Sequence, residues 1–108
     1  MAYKLSEKHN KKRAFITGGG GGLGRALGLA LAKDGWTIGI TDLKQEALDE
    51  SKKLIEAAGG KAFTYPFDVS NRPAYKIAFD DFVAKVGGLD LLLNNAGVGD
   101  GGLVGEYP

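Results

Sequence analysis

Five consecutive glycines, Gly18 to Gly22, join the apolar run Arg13-Ala14-Phe15-Ile16-Thr17 directly to a segment in which Leu23, Ala26, Leu27, Ala30 and Leu31 recur at helical spacing. That junction restricts the fold more than any other feature of the chain. A short buried strand that turns through glycines into a helix is the opening unit of a parallel sheet, because the chain must cross over before the next strand can run in the same direction. The competing reading is a flexible linker. A linker, however, has no reason to sit between a buried strand and an amphipathic helix.

The rest of the chain repeats the alternation. Gly35 is a plausible stop for the first helix, and Trp36 to Thr41 reads as a second strand closing at Asp42. Ala47, Leu48, Leu54, Ile55 and Ala58 form a second amphipathic helix ended by Gly59-Gly60. Ala62 to Phe67 is a third strand, where Pro66 points to a strand end or a sheet edge. Ser70 is the expected N-cap of a third helix, with Pro73 in its first turn and a stripe of Ala74, Ile77, Ala78, Phe82 and Val86 widened by Phe79 and Val83. Gly87-Gly88 interrupts it, and Leu89 to Leu93 is a fourth strand. The expected organisation is a polar arm over residues 1–12, one α/β domain over 13–97, and a flexible glycine-rich tail over 98–108.

Composition narrows the function classes. With 44% hydrophobic and 25% charged residues the chain is ordinary globular material, and 108 residues suffice for one core. A formal charge of +1 gives no electrostatic case for nucleic acid. The basic residues Lys4, Lys8, Lys11, Lys12 and Arg13 read as a solvated lead-in, since Glu7 interrupts them and no aromatic interleaving suggests base stacking. There is no cysteine and a single histidine, His9, so a thiolate or histidine metal site is not expected. No apolar run is long enough to span a membrane, and the first ten residues lack the apolar centre of a signal peptide, so a cytoplasmic location is the default expectation.

The glycines and Asp42 carry the chemistry. Gly18 permits the sharp turn out of the strand, while Gly22 and Gly24 let backbone and helix approach a diphosphate and the sheet without an intervening Cβ. Gly19, Gly20 and Gly21 lack such a role from sequence, which suggests a loop that is mobile before ligand binds. Asp42, at the end of the second strand, can accept hydrogen bonds from both hydroxyls of an adenosine ribose and would repel a 2′-phosphate. The reading is therefore NAD(H) over NADP(H), with Arg25 and Lys44 the nearest cations able to weaken that preference. Helix N-capping is the alternative role for Asp42. No Gly-Lys-Ser/Thr closes a triphosphate loop.

Thr17-Gly18, three variable residues, then Gly22-Leu23-Gly24, together with Asp68-Val69 and Asn94-Asn95-Ala96-Gly97, resemble the short-chain dehydrogenase/reductase family. The resemblance implies a three-layer Rossmann-type parallel sheet of four strands in order 3-2-1-4 with helices on both faces. It also implies that Asp68-Val69 holds the adenine ring, that Asn94 braces the sheet, and that Asn95-Ala96-Gly97 lines the cofactor cleft. With the glycine motif and Asp42, the expected cofactor contacts are Gly18, Gly20, Gly21, Gly22, Leu23, Gly24, Asp42, Leu43, Asp68, Val69, Asn95, Ala96 and Gly97, and the cofactor is NAD.

The family's catalytic serine and its tyrosine with a lysine four residues on have no match here. Tyr3, Tyr65, Tyr75 and Tyr107 all lack a lysine at that spacing. The chain is thus expected to hold cofactor without completing hydride transfer unless supplied with a further fragment. Its fourth strand, interior in the family, is expected to present an edge through which two copies associate. The alternatives are a fold-back of the tail over that edge, and a structural fragment without ligand.

Overall fold

The computed structural model describes residues 12–95, in which strands and helices alternate: β1 (Arg13–Thr17), α1 (Gly22–Ala32), β2 (Thr37–Asp42), α2 (Gln45–Ala57), β3 (Lys61–Pro66), α3 (Arg72–Val86) and β4 (Leu91–Asn94). The four strands form one parallel sheet in the order β3-β2-β1-β4. This is the α/β Rossmann-type arrangement expected from the sequence. Thr17 is level with Thr41 on one side and Asn94 on the other, and Asp42 is level with Pro66, so the strands' carboxyl ends line up. The chain adds strands outward from β1 on one side and then returns to its other side, which makes the β1–β4 boundary the switch point where such sheets bind ligands.

Successive side chains of a strand point to opposite faces, and β1 shows both layers in two residues. Ile16 joins Ile38, Ile40 and Leu93 beneath Ala32 of α1 and Leu48 and Ile55 of α2. Phe15 points the other way, into an aromatic cluster with Ala78 and Phe82 of α3, flanked by Phe63, Tyr65, Tyr75 and Phe79. β3 is an edge strand with Pro66 at its last position, where a missing N–H costs least.

Three local expectations are corrected. The buried face of α1 is Gly24, Gly28 and Ala32, whereas Leu23 is 50% exposed and Ala26 and Ala30 face solvent. The helix lies so close to its neighbours that a Cβ on Gly28 would sit 3.1 Å from Ile55 Cδ1. The N-cap of α3 is Asn71, whose Oδ1 accepts from the Ala74 N–H at 3.1 Å, because Ser70 is already held by Asp68. Ile77 lies outside the stripe at 70% exposure, and Tyr75, Ala78, Phe79, Phe82 and Val86 form the inner face of α3. Gly87 ends that helix in the left-handed conformation with φ 86°.

β4 starts two residues later than the apolar run suggests, because Asp90 is taken up by Arg13. The Asp90 carboxylate accepts from Arg13 Nε at 2.8 Å, Nη2 at 3.2 Å and the backbone N–H at 3.0 Å, while the Asp90 N–H donates to the Arg13 carbonyl at 2.9 Å. That hydrogen bonding to Asp90, outweighing the opposing desolvation, raises the Arg13 guanidinium above its ordinary pKa. The pair ties the start of β1 to the approach to β4, at the edge of the sheet opposite the carboxyl ends.

No helix among the described residues is long and apolar enough to cross a membrane. The expected N-terminal arm, apart from Lys12, and the glycine-rich tail lie outside the described residues, as do Ala96 and Gly97.

Candidate functional site

The glycine loop lies across the carboxyl ends of β1 and β2. Gly18 leaves β1 with φ 73°, a value that disfavours any side chain, and Gly22 opens α1 with φ 57°. A Cβ on Gly24 would overlap the Gly18 carbonyl oxygen, so the first turn of the helix can rest on the loop only because that atom is absent. No side chain caps the N-terminus of α1, and its first turn holds no acidic residue. The first turn of a helix carries backbone N–H groups without intrahelical partners and a partial positive charge, which together suit an anion.

Gly19 and Gly20, without evident purpose in the sequence, are demanded by packing. A Cβ on Gly19 would meet Ile40 Cβ at 2.7 Å, and one on Gly20 would meet Asp42 Oδ2 at 2.5 Å and Ala47 Cβ at 2.9 Å. Both residues are buried. The mobile loop expected from the glycine run is instead a tethered one: the Gly19 N–H donates to the Thr41 carbonyl at 2.8 Å and the Gly20 N–H to Asp42 Oδ2 at 2.9 Å. Only around Gly21 and Gly22 would an added Cβ meet nothing within 4 Å at the loop crest.

Asp42 is half-buried at the end of β2, and its two carboxylate oxygens are split between the Gly20 N–H and, at 2.7 Å, the Leu43 N–H. It does not cap α2, whose N-cap is Lys44 without a side-chain hydrogen bond. These two bonds fix the carboxylate plane beside the loop while leaving further lone pairs for ligand hydroxyls. Leu43, 66% exposed, and Leu23 stand at the rim.

On the other side of β1, the Thr17 hydroxyl donates to Asn94 Oδ1 at 3.3 Å and accepts from the Asn95 N–H at 2.9 Å. Asn95 Nδ2 reaches the Gly18 carbonyl at 3.4 Å. β4 is thereby joined to the turn out of β1. Asp68 and Val69 follow β3 at the same end of the sheet. The Asp68 carboxylate accepts from the Ser70 N–H at 2.9 Å and the Ser70 hydroxyl at 2.8 Å, and these bonds hold it below the usual carboxylate range.

Two residues that sequence reasoning did not assign to the site meet beneath the loop. Ser51 of α2 is fully buried and donates to the Gly19 carbonyl at 2.6 Å. Arg25 of α1 donates through Nε to Ser51 Oγ at 2.8 Å and through Nη2 to the carbonyls of Gly20 at 2.8 Å and Ala47 at 3.2 Å. The available signal was a serine placed in the apolar stripe between Leu48 and Ile55. Among the described residues no cluster of three or more acidic, histidine or cysteine side chains is arranged to hold a metal.

A parallel sheet with a tight glycine turn from its central strand into a helix, and an acidic residue closing the neighbouring strand, defines a dinucleotide-binding α/β domain. The family model described as short chain dehydrogenase matches residues 12–107, and the chain belongs to that family. It is 44% identical over 89 residues to an L-2,3-butanediol dehydrogenase of Corynebacterium glutamicum, covering 81% of this chain and 34% of the relative. It is 41% identical over 96 residues to general stress protein 39 of Bacillus subtilis, covering 88% and 34% respectively. The crystal structure of carveol dehydrogenase from Mycobacterium avium in complex with NAD superposes with a TM-score of 0.77 at 33% identity, over 82% of this chain and 36% of that one. The chain thus spans about a third of the length of the curated relatives it matches.

Proposed function

We propose that this chain is the cofactor-holding part of a short-chain oxidoreductase and that its ligand is NAD(H). The observation that carries the reading is the joint placement of the glycine loop, the uncapped N-terminus of α1 and the Asp42 carboxylate at one end of the sheet. The residues present fit such a ligand. The Gly24 position leaves room for the close approach of helix and loop, and the open space around Gly21 and Gly22 adjoins the N–H groups of α1, where a diphosphate would be held. Asp42 would accept from the ribose hydroxyls, Leu43 and the Asp68-Val69 pair would flank the adenine, and Asn95 with Ala96 and Gly97 would line the continuation of the cleft. Nicotinamide, when bound, supplies the capacity to exchange hydride between an alcohol and a carbonyl.

The preference for NAD(H) over NADP(H) is supported by Asp42 and by the engagement of Arg25. That guanidinium is directed at Ser51, Gly20 and Ala47, so it is not poised to offset a 2′-phosphate. Calorimetric titration should show NADH binding at least about tenfold more tightly than NADPH, and Asp42→Asn should narrow that ratio by about tenfold or more, the loss of a charge-assisted hydrogen bond together with a repulsion. Stronger binding of NADPH by the unaltered protein would refute the assignment. Because no tyrosine in the chain has a lysine four residues on, turnover of an alcohol or ketone by these 108 residues alone is not expected.

A second reading concerns association. Among the described residues β4 pairs with β1 on one side only, and Leu91 and Leu92 are half-buried along that edge. An unpaired strand edge beside leucines favours pairing with another strand, and a symmetric second copy is the simplest supplier. Light scattering at high micromolar concentration should return twice the monomer mass. A monomer mass there counts against it.

A further inference from the structure

Building on the reading of the glycine loop as a phosphate seat, we propose that Arg25 and Ser51 are positioning residues that set its peptide planes, Arg25 turning the Gly21 N–H toward the cofactor diphosphate and Ser51 fixing the Gly20 N–H on Asp42. A fully buried hydroxyl and a half-buried guanidinium are unfavourable unless hydrogen-bonded, and here both are directed into the back of the loop. Ser51 Oγ donates to the Gly19 carbonyl, and Arg25 Nη2 donates to the next carbonyl, that of Gly20. In a planar trans peptide the carbonyl and the following N–H point in opposite directions.

Holding the Gly19 carbonyl toward α2 therefore turns the Gly20 N–H away from it, where it meets Asp42 Oδ2. Holding the Gly20 carbonyl turns the Gly21 N–H away from α2, toward the loop crest where an added Cβ would meet nothing within 4 Å. Glycine peptides without such tethers rotate freely, and a ligand would have to order them on binding. The clamp also brings a charge. The three acceptors of Arg25 are a hydroxyl and two carbonyls, so no carboxylate among them neutralises the guanidinium that lies behind the loop. The Arg25 tether and its charge act on an anion seated at the crest, whereas the Ser51 tether acts through the Gly20 N–H on the carboxylate that would meet the ribose.

The test compares NADH, ADP and adenosine by calorimetry and ligand-observed NMR on the full chain and on Arg25→Met, Arg25→Lys and Ser51→Ala. Arg25→Met should weaken NADH and ADP by about tenfold or more while adenosine changes less than about twofold, and Ser51→Ala, which frees the peptide held on Asp42, should weaken all three ligands, with the circular dichroism spectrum and thermal transition retained in both. Arg25→Lys keeps the charge but not the fork, and should recover only part of the loss. Should Arg25→Met lose its thermal transition, Arg25→Lys supplies the comparison. An equal loss for adenosine in the Arg25 variants would reduce the clamp to general scaffolding and overturn the proposal. Unaltered protein that binds NADH no better than the variants overturns the clamp alone. Unaltered protein that binds none of the three ligands overturns the cofactor reading and the clamp with it.

Discussion

Replacing Gly24 with alanine should abolish NADH binding and lower the thermal midpoint by about 15 °C. The added methyl overlaps the Gly18 carbonyl oxygen, a backbone atom that cannot rotate aside as a side chain would. Either α1 lifts from the loop or β1 ends differently. Overpacking of this kind costs about 3 kcal/mol or more, and in a domain near 100 residues each kcal/mol moves the midpoint by roughly 4–8 °C. Lifting α1 also separates its N–H groups from the loop crest, so affinity falls further than stability alone dictates. Gly21→Ala is the control: its Cβ meets nothing within 4 Å, and that variant should keep its midpoint to within about 2 °C. Differential scanning calorimetry with and without NADH measures both quantities, and a Gly24→Ala protein that binds like the parent would mean the loop and helix are not packed as described.

Phe15→Ala should come close to unfolding the domain. The ring is fully buried at the centre of the sheet, with centroids 5.4 Å from Phe79, 5.6 Å from Phe82, 6.0 Å from Tyr65 and 6.1 Å from Tyr75. Loss of a buried phenylalanine costs about 3–5 kcal/mol, because the surrounding rings collapse only partly into the space. A domain of this size is held together by about 5–15 kcal/mol in total. Urea unfolding should therefore show a midpoint shifted by a large fraction of its value, or no cooperative transition. Ile77→Ala, at a position 70% exposed on the outer face of α3, should leave the midpoint almost unchanged. Equal effects of the two substitutions would contradict the burial pattern of both layers.

Element order, strand order and the placement of Asp42 at the end of β2 were legible in the sequence because each rests on a local signal: apolar runs bounded by glycine, and a family motif with fixed spacing. The inner face of α1 was not. In Gly22 to Ala32 apolar residues surround the helix, so periodicity does not choose a face, and the choice falls to the close approach that only Gly24, Gly28 and Ala32 allow. Ser70 and Asn71 are both competent caps. The decision came from Asp68, which captures the Ser70 hydroxyl and leaves the role to its neighbour. Within the site, the glycines of the motif were recognisable, but the reason for Gly19 and Gly20 was hidden because it involves Ile40, Asp42 and Ala47, which are distant in sequence. Ser51 and Arg25 were hidden for the same reason, since a hydrogen bond between residues 26 apart leaves no local pattern.

The strap between Arg13 and Asp90 joins residues 77 apart in the sequence, and β1 needs β4 as its second neighbour. Contacts of such separation form late, since a long loop must close before they contribute. During synthesis at roughly 5–20 residues per second, β1 would wait about 4 to 15 s between its own appearance and that of Asp90. Throughout that interval one edge of β1, whose Ala14, Phe15 and Ile16 end fully buried, stands open, so the aggregation hazard of this particular edge belongs to the nascent chain and passes when β4 docks on it.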